Sequence, residues 1–195
     1  MSSRTDILAR IRRHTLPESP LPDLDGSWTT FADRQSQFVQ VVTSVGGQVR
    51  VLDQPDQLEA TLRQLPCMAD ARQVVCTVPG LPVGNLELDK VENPHDLAGV
   101  DVAILPGAFA VAENGAVWVT DRGVRHRVIY FLTQHLVLVT PRSELIDHLH
   151  QAYERLEFTG AGYGLFISGP SKTADIEQSL VIGAHGPRSL TVILV

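Results

Sequence analysis

Short runs of consecutive apolar residues alternate with segments of helical periodicity along this chain, and this alternation constrains its fold most. The runs are rich in Val, Ile and Leu and predict strands at 48–52, 72–78, 100–105, 116–120, 135–140, 165–168 and 190–195. Strands that are apolar on successive residues are typical of sheets buried on both faces. The pattern predicts a layered α/β fold with a largely parallel sheet flanked by helices. The strand-rich stretch 103–135 favours an antiparallel insertion.

The helical segments have recognisable starts and ends. Apolar residues at helical spacing, a Pro at one start and Gly46–Gly47 at one end predict helices at 31–45, 55–65 and 142–156, and another from about Lys172. His148 and His150 then lie two positions apart on one helix and point to different sides. We therefore expect no metal site there.

Composition and charge exclude several classes of protein. The 195 residues correspond to about one domain. The formal net charge of −6 has the wrong sign for a general nucleic-acid binder, and no run approaches the roughly 20 apolar residues of a membrane span. Two cysteines, Cys67 and Cys76, are too few for a four-thiolate iron–sulfur or zinc site. We expect a cytoplasmic protein with no metal of its own.

The first 26 residues differ in character from the rest. Arginines alternate with apolar residues over Met1–Thr15, which predicts an amphipathic helix. A secretory signal is not expected, because it needs an uninterrupted apolar core. The Pro-rich passage Leu16–Gly26 follows and reads as a linker. We expect an N-terminal helix and arm at 1–26 and one α/β domain at 27–195. Such an arm is a candidate contact for a homo-oligomer.

The segment Phe166–Glu177, FISGPSKTADIE, carries the strongest signal for a ligand. A buried strand ends, a Gly-Pro-Ser turn follows, and the expected helix would aim its N–H groups and dipole at an anion. The alternative is that these residues only form the turn and cap the helix. The candidate ligand-binding residues are Ser168, Gly169, Pro170, Ser171, Lys172 and Thr173.

Glu113 stands alone among small and apolar residues and is followed by Asn114 and Gly115, a strong turn signal between two strands. Asn114 and Gly115 are also candidate ligand-binding residues. A carboxylate buried there would have a raised pKa and would serve as a base or nucleophile. The alternative is a hairpin tip with an exposed glutamate.

Three further groups of polar residues are candidates. The basic loop 122–127 would attract a phosphate, carboxylate or CoA-like ligand, or is simply a solvated loop. His135 opens an apolar strand, where a structural histidine is the default and a catalytic role the alternative. His185 and Arg188 lie in the Gly-rich segment GAHGPR, which suits a ligand contact or an ordinary loop.

These motifs, in their order, resemble the LUD domain family. The resemblance rests on AVAENGAVWVT, TQHLVLV and GLFISGPSKTADIEQSLVIGAHGPRSLTVIL, and it is specific over about 102–195. It implies a fold related to ribose-5-phosphate isomerase, glucosamine-phosphate deaminase and CoA transferases, the NagB/RpiA/CoA-transferase-like fold. LutC-like members imply a role in oxidising L-lactate to pyruvate.

The resemblance suggests two functions. In the first, the chain is an auxiliary subunit that binds a small anionic metabolite, and LutA/LutB-like iron–sulfur partners carry the electrons, so that the chain itself holds no cofactor. In the second, it is an enzyme or binding protein for a phosphorylated or CoA-type molecule. The second reading depends on Glu113, because Glu113-Asn114-Gly115 looks like the Glu-Asn-Gly of CoA transferases, whose glutamate takes the acyl group as a thioester.

Overall fold

A computed structural model describes residues 3–14, 19–20, 23, 26–156, 162–174 and 180–195. Its helices are α1 (Ser3–Arg13), α2 (Arg34–Ser44), α3 (Leu58–Arg63), α4 (Ile129–Leu132) and α5 (Leu149–Arg155). Its strands are β1 (Gln48–Val51), β2 (Val74–Cys76), β3 (Val102–Pro106), β4 (Phe109–Val111), β5 (Ala116–Thr120), β6 (His135–Thr140), β7 (Leu145–Ile146), β8 (Gly164–Ile167), β9 (Lys172–Ala174), β10 (Leu180–Ile182) and β11 (Ser189–Leu194). Most of the predicted Pro-rich passage lies outside the described residues.

A five-stranded sheet forms the centre of the fold, in the order β1-β11-β6-β3-β2. Every neighbouring pair in this sheet is parallel. The side chains of Val102, Ala103, Ile104 and Leu105 are all fully buried. The prediction of a parallel sheet buried on both faces is therefore confirmed.

Each face of the central sheet packs on a different layer. Val102 and Ile104 join the cluster that contains Leu58 and Leu62 of α3. Ala103 and Leu105 point to the other face, because side chains alternate along a strand, and join a cluster with Phe38 of α2 and with apolar residues of a second sheet. The central sheet is thus enclosed between helix α3 and a layer formed by α2 and the second sheet.

The second sheet has the order β7-β4-β5-β8 and is mixed. β4 and β5 form an antiparallel hairpin, β5 and β8 are antiparallel but distant in sequence, and β4 and β7 are parallel. The hairpin confirms the predicted antiparallel insertion. On the outer face of this sheet, Phe109 and Val111 pack with Ala152 of α5.

The predicted helix 142–156 is wrong over its first half. Leu145 and Ile146 form β7 and pair with Ala110 and Val111, and α5 begins only at Leu149. The spacing of the leucines indicated a continuous helix, but Leu145 and Ile146 are both buried and pair with β4, a long-range contact that overrides the local periodicity. His148 consequently precedes the helix as its N-cap residue.

The predicted helix from Lys172 is also wrong. Residues 172–174 form β9, which pairs antiparallel with β10 through Lys172 and Ile182 at one end and Ala174 and Leu180 at the other. The Gly-Pro-Ser turn therefore leads into a strand. No helix dipole supports anion binding at this turn, and the argument for a ligand there must rest on other groups.

Helix α1 confirms the predicted N-terminal helix and buries none of its residues. Its apolar side chains, Ile7, Leu8 and Ile11, are 54%, 41% and 61% exposed. Among the described helices, none combines the length and the apolar character that a bilayer crossing requires.

Candidate functional site

The turn after β8 and the loop before β11 enclose a cleft of about 350 Å³. Ser171 N–H donates to the Pro187 carbonyl oxygen at 2.9 Å, and Gly183 N–H donates to the Ser171 carbonyl oxygen at 3.0 Å. Gly186 packs closely on the turn, because a Cβ added to it would lie 3.0 Å from the Cβ of Ser171. These contacts bring the two motifs, SGPSK and GAHGP, to one site.

The first wall of the cleft is anchored on helix α2. Gly169 has φ +73°, a left-handed conformation that glycine adopts without strain, and an added Cβ would lie 2.8 Å from the carbonyl oxygen of Val45. Pro170 is buried beside it and approaches Gly46. Only a residue without a side chain allows the turn to pack so closely against the end of the helix.

The polar groups of the cleft lie at its rim. Lys172 and His185 are exposed, and so is Ser168, whereas Ser171 is partly buried. No described carboxylate forms a salt bridge with Lys172, and none of the described lining residues is acidic. An ammonium group and a histidine on one rim, with no acidic residue among the described lining residues, favour an anionic ligand.

The sequence analysis missed the apolar part of the same cleft. It is lined by Tyr130 and Phe131 of α4 and by residues of three strands, namely Leu136, Leu165, Phe166, Ile167 and Leu190. Periodicity assigns such residues to the core and does not show which of them border an opening. The adjacent aromatic pair Tyr130-Phe131 was the available signal.

Glu113 lies outside the cleft. It is exposed at the tip of the β4–β5 hairpin, and its Oε2 accepts a hydrogen bond of 2.9 Å from the backbone N–H of Leu149. The burial that the catalytic hypothesis assumed is absent. The structure therefore matches the alternative, an exposed glutamate at a hairpin tip.

Asn114 and Gly115 shape this hairpin turn and connect it to the cleft. The Asn114 side chain accepts a hydrogen bond from the Ala116 N–H, and the backbone carbonyl oxygen of Asn114 accepts one of 2.8 Å from the Ser168 hydroxyl. Gly115 has φ +66°, and an added Cβ would lie 3.1 Å from the backbone nitrogen of Val42. Both residues border the wall of the cleft without lining it.

His135 and Arg188 are also absent from the lining. His135 points to the opposite face of the sheet from Leu136, which does line the cleft. Its Nδ1 lies 2.8 Å from the Ser189 hydroxyl, and burial, with a further effect of the Arg188 charge, lowers its pKa. Arg188 is exposed, and its backbone N–H donates to the carbonyl oxygen of Gln134. For Thr173, only the backbone in β9 is described.

The basic loop contacts its own neighbours. Arg125 donates a short hydrogen bond to the carbonyl oxygen of Asp89, and His126 Nε2 lies 2.7 Å from the carbonyl oxygen of Val91. The guanidinium of Arg127 lies over the ring of Tyr163, 5.2 Å from its centroid. These contacts occupy three of the four basic side chains that the sequence offered for a phosphate, and Arg122 is the fourth.

The two histidines expected on opposite sides of one helix lie close together. The rings of His148 and His150 are 5.9 Å apart, and Trp28 stacks on His150 with centroids 3.5 Å apart. The expectation failed because His148 is not helical. Among the described residues, no three His, Cys, Asp or Glu side chains are placed to hold a metal ion.

A second cavity, of about 440 Å³, lies between the start of α2 and residues 142–145. Its three described charged lining residues include one acid, and two of the three, Arg34 and Asp33, already have partners. Arg34 forms an ion pair of 2.8 Å with Asp147, and Asp33 caps α2 by accepting a hydrogen bond from Ser36 N–H. The cleft between the two glycine motifs is therefore the better candidate for a ligand.

Comparison with known sequences identifies the family. The profile of the LUD domain matches residues 79–195. This chain belongs to the LUD domain family. Lactate utilization protein C from Geobacillus thermodenitrificans is 30% identical to this LUD protein over 203 residues, which cover 99% of this chain and 80% of the relative. The protein of the same name from Geobacillus kaustophilus is 32% identical over 165 residues, covering 80% and 65%.

A solved structure supports the fold. A DUF162 family protein from Deinococcus radiodurans superimposes with a TM-score of 0.59, covering 83% of this LUD protein and 96% of that chain at 17% identity. At this level of identity the likeness concerns the fold alone. It agrees with the α/β architecture with a mostly parallel sheet that the sequence predicted. Both the family resemblance and the fold class are confirmed.

Proposed function

We propose that this LUD protein works in lactate utilisation and binds a small organic anion in the cleft between SGPSK and GAHGP. The observation that carries the proposal is the rim of this cleft, to which Lys172 and His185 both contribute and whose described lining residues include no acid. A carboxylate ligand pairs with such groups through charge-assisted hydrogen bonds. The relatives named lactate utilization protein C support lactate or its product as the anion.

The proposal assigns the electron transfer to partner proteins. Oxidising L-lactate to pyruvate removes two electrons and two protons, so a redox group must accept the electrons. Since the chain has two cysteines and a four-thiolate cluster needs four, LutA/LutB-like iron–sulfur proteins are the proposed acceptors. In this arrangement the chain is an auxiliary subunit that holds the acid.

Copurification tests the partner part of the proposal. The protein carrying an affinity tag, purified from its native host grown on lactate, should retain proteins that contain iron and acid-labile sulfide. Repeated purification without such proteins would contradict it.

The exposed apolar residues of α1 support a further contact, with a second copy of the chain. Helix α1 has four arginines and one aspartate, a net charge of +3, while the whole chain carries −6. The remaining residues therefore carry −9 and attract the helix of another copy. The negative charge of the remaining residues repels an anionic membrane, so a second copy is the preferred partner of this helix.

The alternative function, an enzyme or binding protein for a phosphorylated or CoA-type molecule that uses Glu113, remains a proposal. One observation favours keeping it: the Glu113–Gly115 turn is joined to the cleft through the hydrogen bond from Ser168 to Asn114. A ligand long enough to extend from the cleft past Ser168 would approach this turn. Acyl-CoA molecules therefore belong in the ligand set.

Thermal shift and calorimetry test the central proposal. The purified chain is titrated with L-lactate, pyruvate, inorganic phosphate, a sugar phosphate and acetyl-CoA. A ligand at about 100 times its Kd adds about 2.7 kcal/mol of stability, which corresponds to several degrees in Tm at about 2–4 °C per kcal/mol. We expect L-lactate or pyruvate to produce such a shift.

The matched variants are Lys172→Gln and Lys90→Gln. Both remove one exposed ammonium group, but Lys90 pairs with Glu87 on another part of the surface. Binding should weaken in Lys172→Gln and remain unchanged in Lys90→Gln. Equal affinity in both variants, or no shift with any ligand, would contradict the proposed site.

A further inference from the structure

The interior of the cleft is apolar, in contrast to its polar rim. Tyr130, Leu136 and Leu190 line it, and each is 1% exposed. Leu165 and Ile167 of β8 are partly buried beside them. A small polar acid makes no favourable contact with such a floor.

The cleft is also larger than lactate. Its volume is about 350 Å³. Lactate has six non-hydrogen atoms and fills at most about 180 Å³, even if each atom is given the roughly 30 Å³ of a liquid water molecule. With lactate bound, about half of the cleft volume would stay unfilled by the ligand. This volume lies against the apolar floor, where water has few hydrogen-bonding partners.

The rim contributes one more apolar group. Phe131 of α4 is 41% exposed although it is a large aromatic residue, and it lines the same cleft. An aromatic side chain that borders an apolar cleft provides a stacking surface for a flat or apolar ligand. Its exposure is explained if a ligand covers it.

We propose that the cleft selects monocarboxylates of roughly six to nine carbons in total that carry an apolar body, represented by L-3-phenyllactate, over lactate itself. The carboxylate would pair with Lys172 and His185 at the rim, and the apolar body would cover the floor and Phe131. This proposal rests on the proposed function, since both place an organic anion in this cleft.

Calorimetry with the full chain tests the selection. The ligands are L-lactate, L-2-hydroxyhexanoate, L-3-phenyllactate and 3-phenyl-1,2-propanediol, which keeps the ring without the charge. Since one additional methylene in an apolar pocket changes affinity about 10-fold or more, L-3-phenyllactate should bind at least 10-fold more tightly than L-lactate. The uncharged diol should bind at least 10-fold more weakly than L-3-phenyllactate.

The matched variants are Phe131→Ala and Trp28→Ala. Both side chains are 41% exposed, but Trp28 contacts His148 and His150. Phe131→Ala should weaken L-3-phenyllactate at least 3-fold and leave lactate unchanged, whereas Trp28→Ala should change neither. Thermal melts check that each variant is folded. If one variant does not fold, the ligand series on the unmodified chain still tests the selection.

The outcomes separate the two proposals. Tighter binding of L-3-phenyllactate supports the selection, and if lactate does not bind at all, only the lactate part of the proposed function falls. Equal or weaker binding of L-3-phenyllactate overturns the selection and leaves the lactate site intact. If no acid binds, both proposals are overturned.

Discussion

The carboxylate of Glu113 accepts a hydrogen bond from the backbone N–H of Leu149, with Oε2 2.9 Å from the nitrogen. Leu149 is the first residue of α5, whose first N–H groups have no partner within the helix. Glu113 thus satisfies one of these groups from a distant part of the chain. Its own N–H donates to the carbonyl oxygen of Asp147 at 2.9 Å, so two hydrogen bonds join the hairpin to the start of the helix.

This relationship predicts the effect of substituting Glu113. Glu113→Ala should lower the free energy of unfolding by about 0.5–1.5 kcal/mol, as loss of one hydrogen bond does, while Glu113→Gln should cost less because its amide oxygen still accepts. Urea denaturation measures both values. Neither substitution should change the affinity of the cleft for L-lactate.

The acyl-transfer alternative predicts a different result for the same variants. If Glu113 forms a thioester with an acyl-CoA, Glu113→Gln abolishes turnover while the protein remains folded. If Glu113→Gln turns over acyl-CoA at the same rate as the original chain, that alternative is eliminated.

The ion pair between Arg34 and Asp147 anchors the segment before α2 to the second sheet. The Asp147 side chain is 1% exposed, its Oδ2 lies 2.8 Å from the Arg34 guanidinium, and its Oδ1 accepts from the Phe31 N–H at 2.9 Å. Burial opposes ionisation, but the hydrogen bonds from Arg34 and Phe31 outweigh it and lower the pKa of this carboxyl group. The ionised form therefore stabilises the fold.

We expect Asp147→Asn to reduce the free energy of unfolding by about 1.5–3 kcal/mol at pH 7. Since the pKa is lower in the folded state, this contribution is complete above the ordinary carboxyl pKa of about 4 and disappears as the pH falls through the folded value. The difference in stability between the original chain and the variant should accordingly shrink at pH 3. Denaturation at both pH values measures it.

Glu59→Gln is the control for this prediction. Glu59 also pairs with an arginine, Arg63, at 2.9 Å, but both side chains are about half exposed. An exposed pair contributes about 0–1 kcal/mol. A loss in Asp147→Asn no greater than in Glu59→Gln would show that the buried pair does not anchor this segment.

His135 predicts a second pH dependence, in which the neutral form of a histidine stabilises the fold instead of the ionised form of a carboxyl group. Burial lowers the pKa of this histidine, and the charge of Arg188 adds to the effect. The unfolded chain then binds a proton more readily, so the contribution to stability is complete above about pH 6.5 and is lost as the pH falls through the folded value. We expect the Tm to decrease between pH 7 and pH 5.

His135→Gln should flatten that decrease, because the group that takes up the proton is gone. His95→Gln is the matched control, since His95 is exposed and contacts only the nearby Asn93 in the described part of the chain. Melting curves at half-unit pH steps distinguish the two variants. An identical slope in all three proteins would show that His135 does not titrate with unfolding.

The strands that the sequence predicted correctly share one physical property. The runs at β3, β6 and β11 are mostly apolar and buried on both faces, so their own composition indicates a central position in a parallel sheet. By contrast, β7, β9 and β10 have two or three residues each, and their partners determine their conformation. Helical spacing at Leu145 and Leu149 gave no indication of the pairing with Ala110.

The site was predictable only in part for a similar reason. Ser168–Lys172 and His185 could be identified because turn residues and a cation occur together in the sequence. The apolar floor comes from α4, β6, β8 and β11, and its residues resemble any other core residues. Glu113 was chosen for its chemical type, but the hairpin turns its carboxylate toward α5, and no local pattern records that long-range contact.

Helix α1 predicts association with a second copy of the chain. Because none of its residues is buried within the chain, Ile7→Asp combined with Ile11→Asp should leave the rest of the monomer folded, as far-UV circular dichroism would show. The same change should remove the apolar contact with a neighbouring copy. Sedimentation velocity at tens of micromolar should show a dimer for the original chain and a 21.3 kDa monomer for the double variant.

Three further measurements identify what the helix contacts. Tyr153→Asp places a charge at another exposed apolar residue, 59% exposed, and should leave the dimer intact. Raising the salt from 0.05 to 0.5 M should weaken the dimer, because ions screen the attraction between the arginines of α1 and the acidic remainder of the chain.

A chain that is monomeric at every concentration would contradict the prediction. If such a monomer also bound anionic phosphatidylserine vesicles through α1, the helix would be a membrane contact, and its arginines would then outweigh the repulsion by the acidic body of the protein.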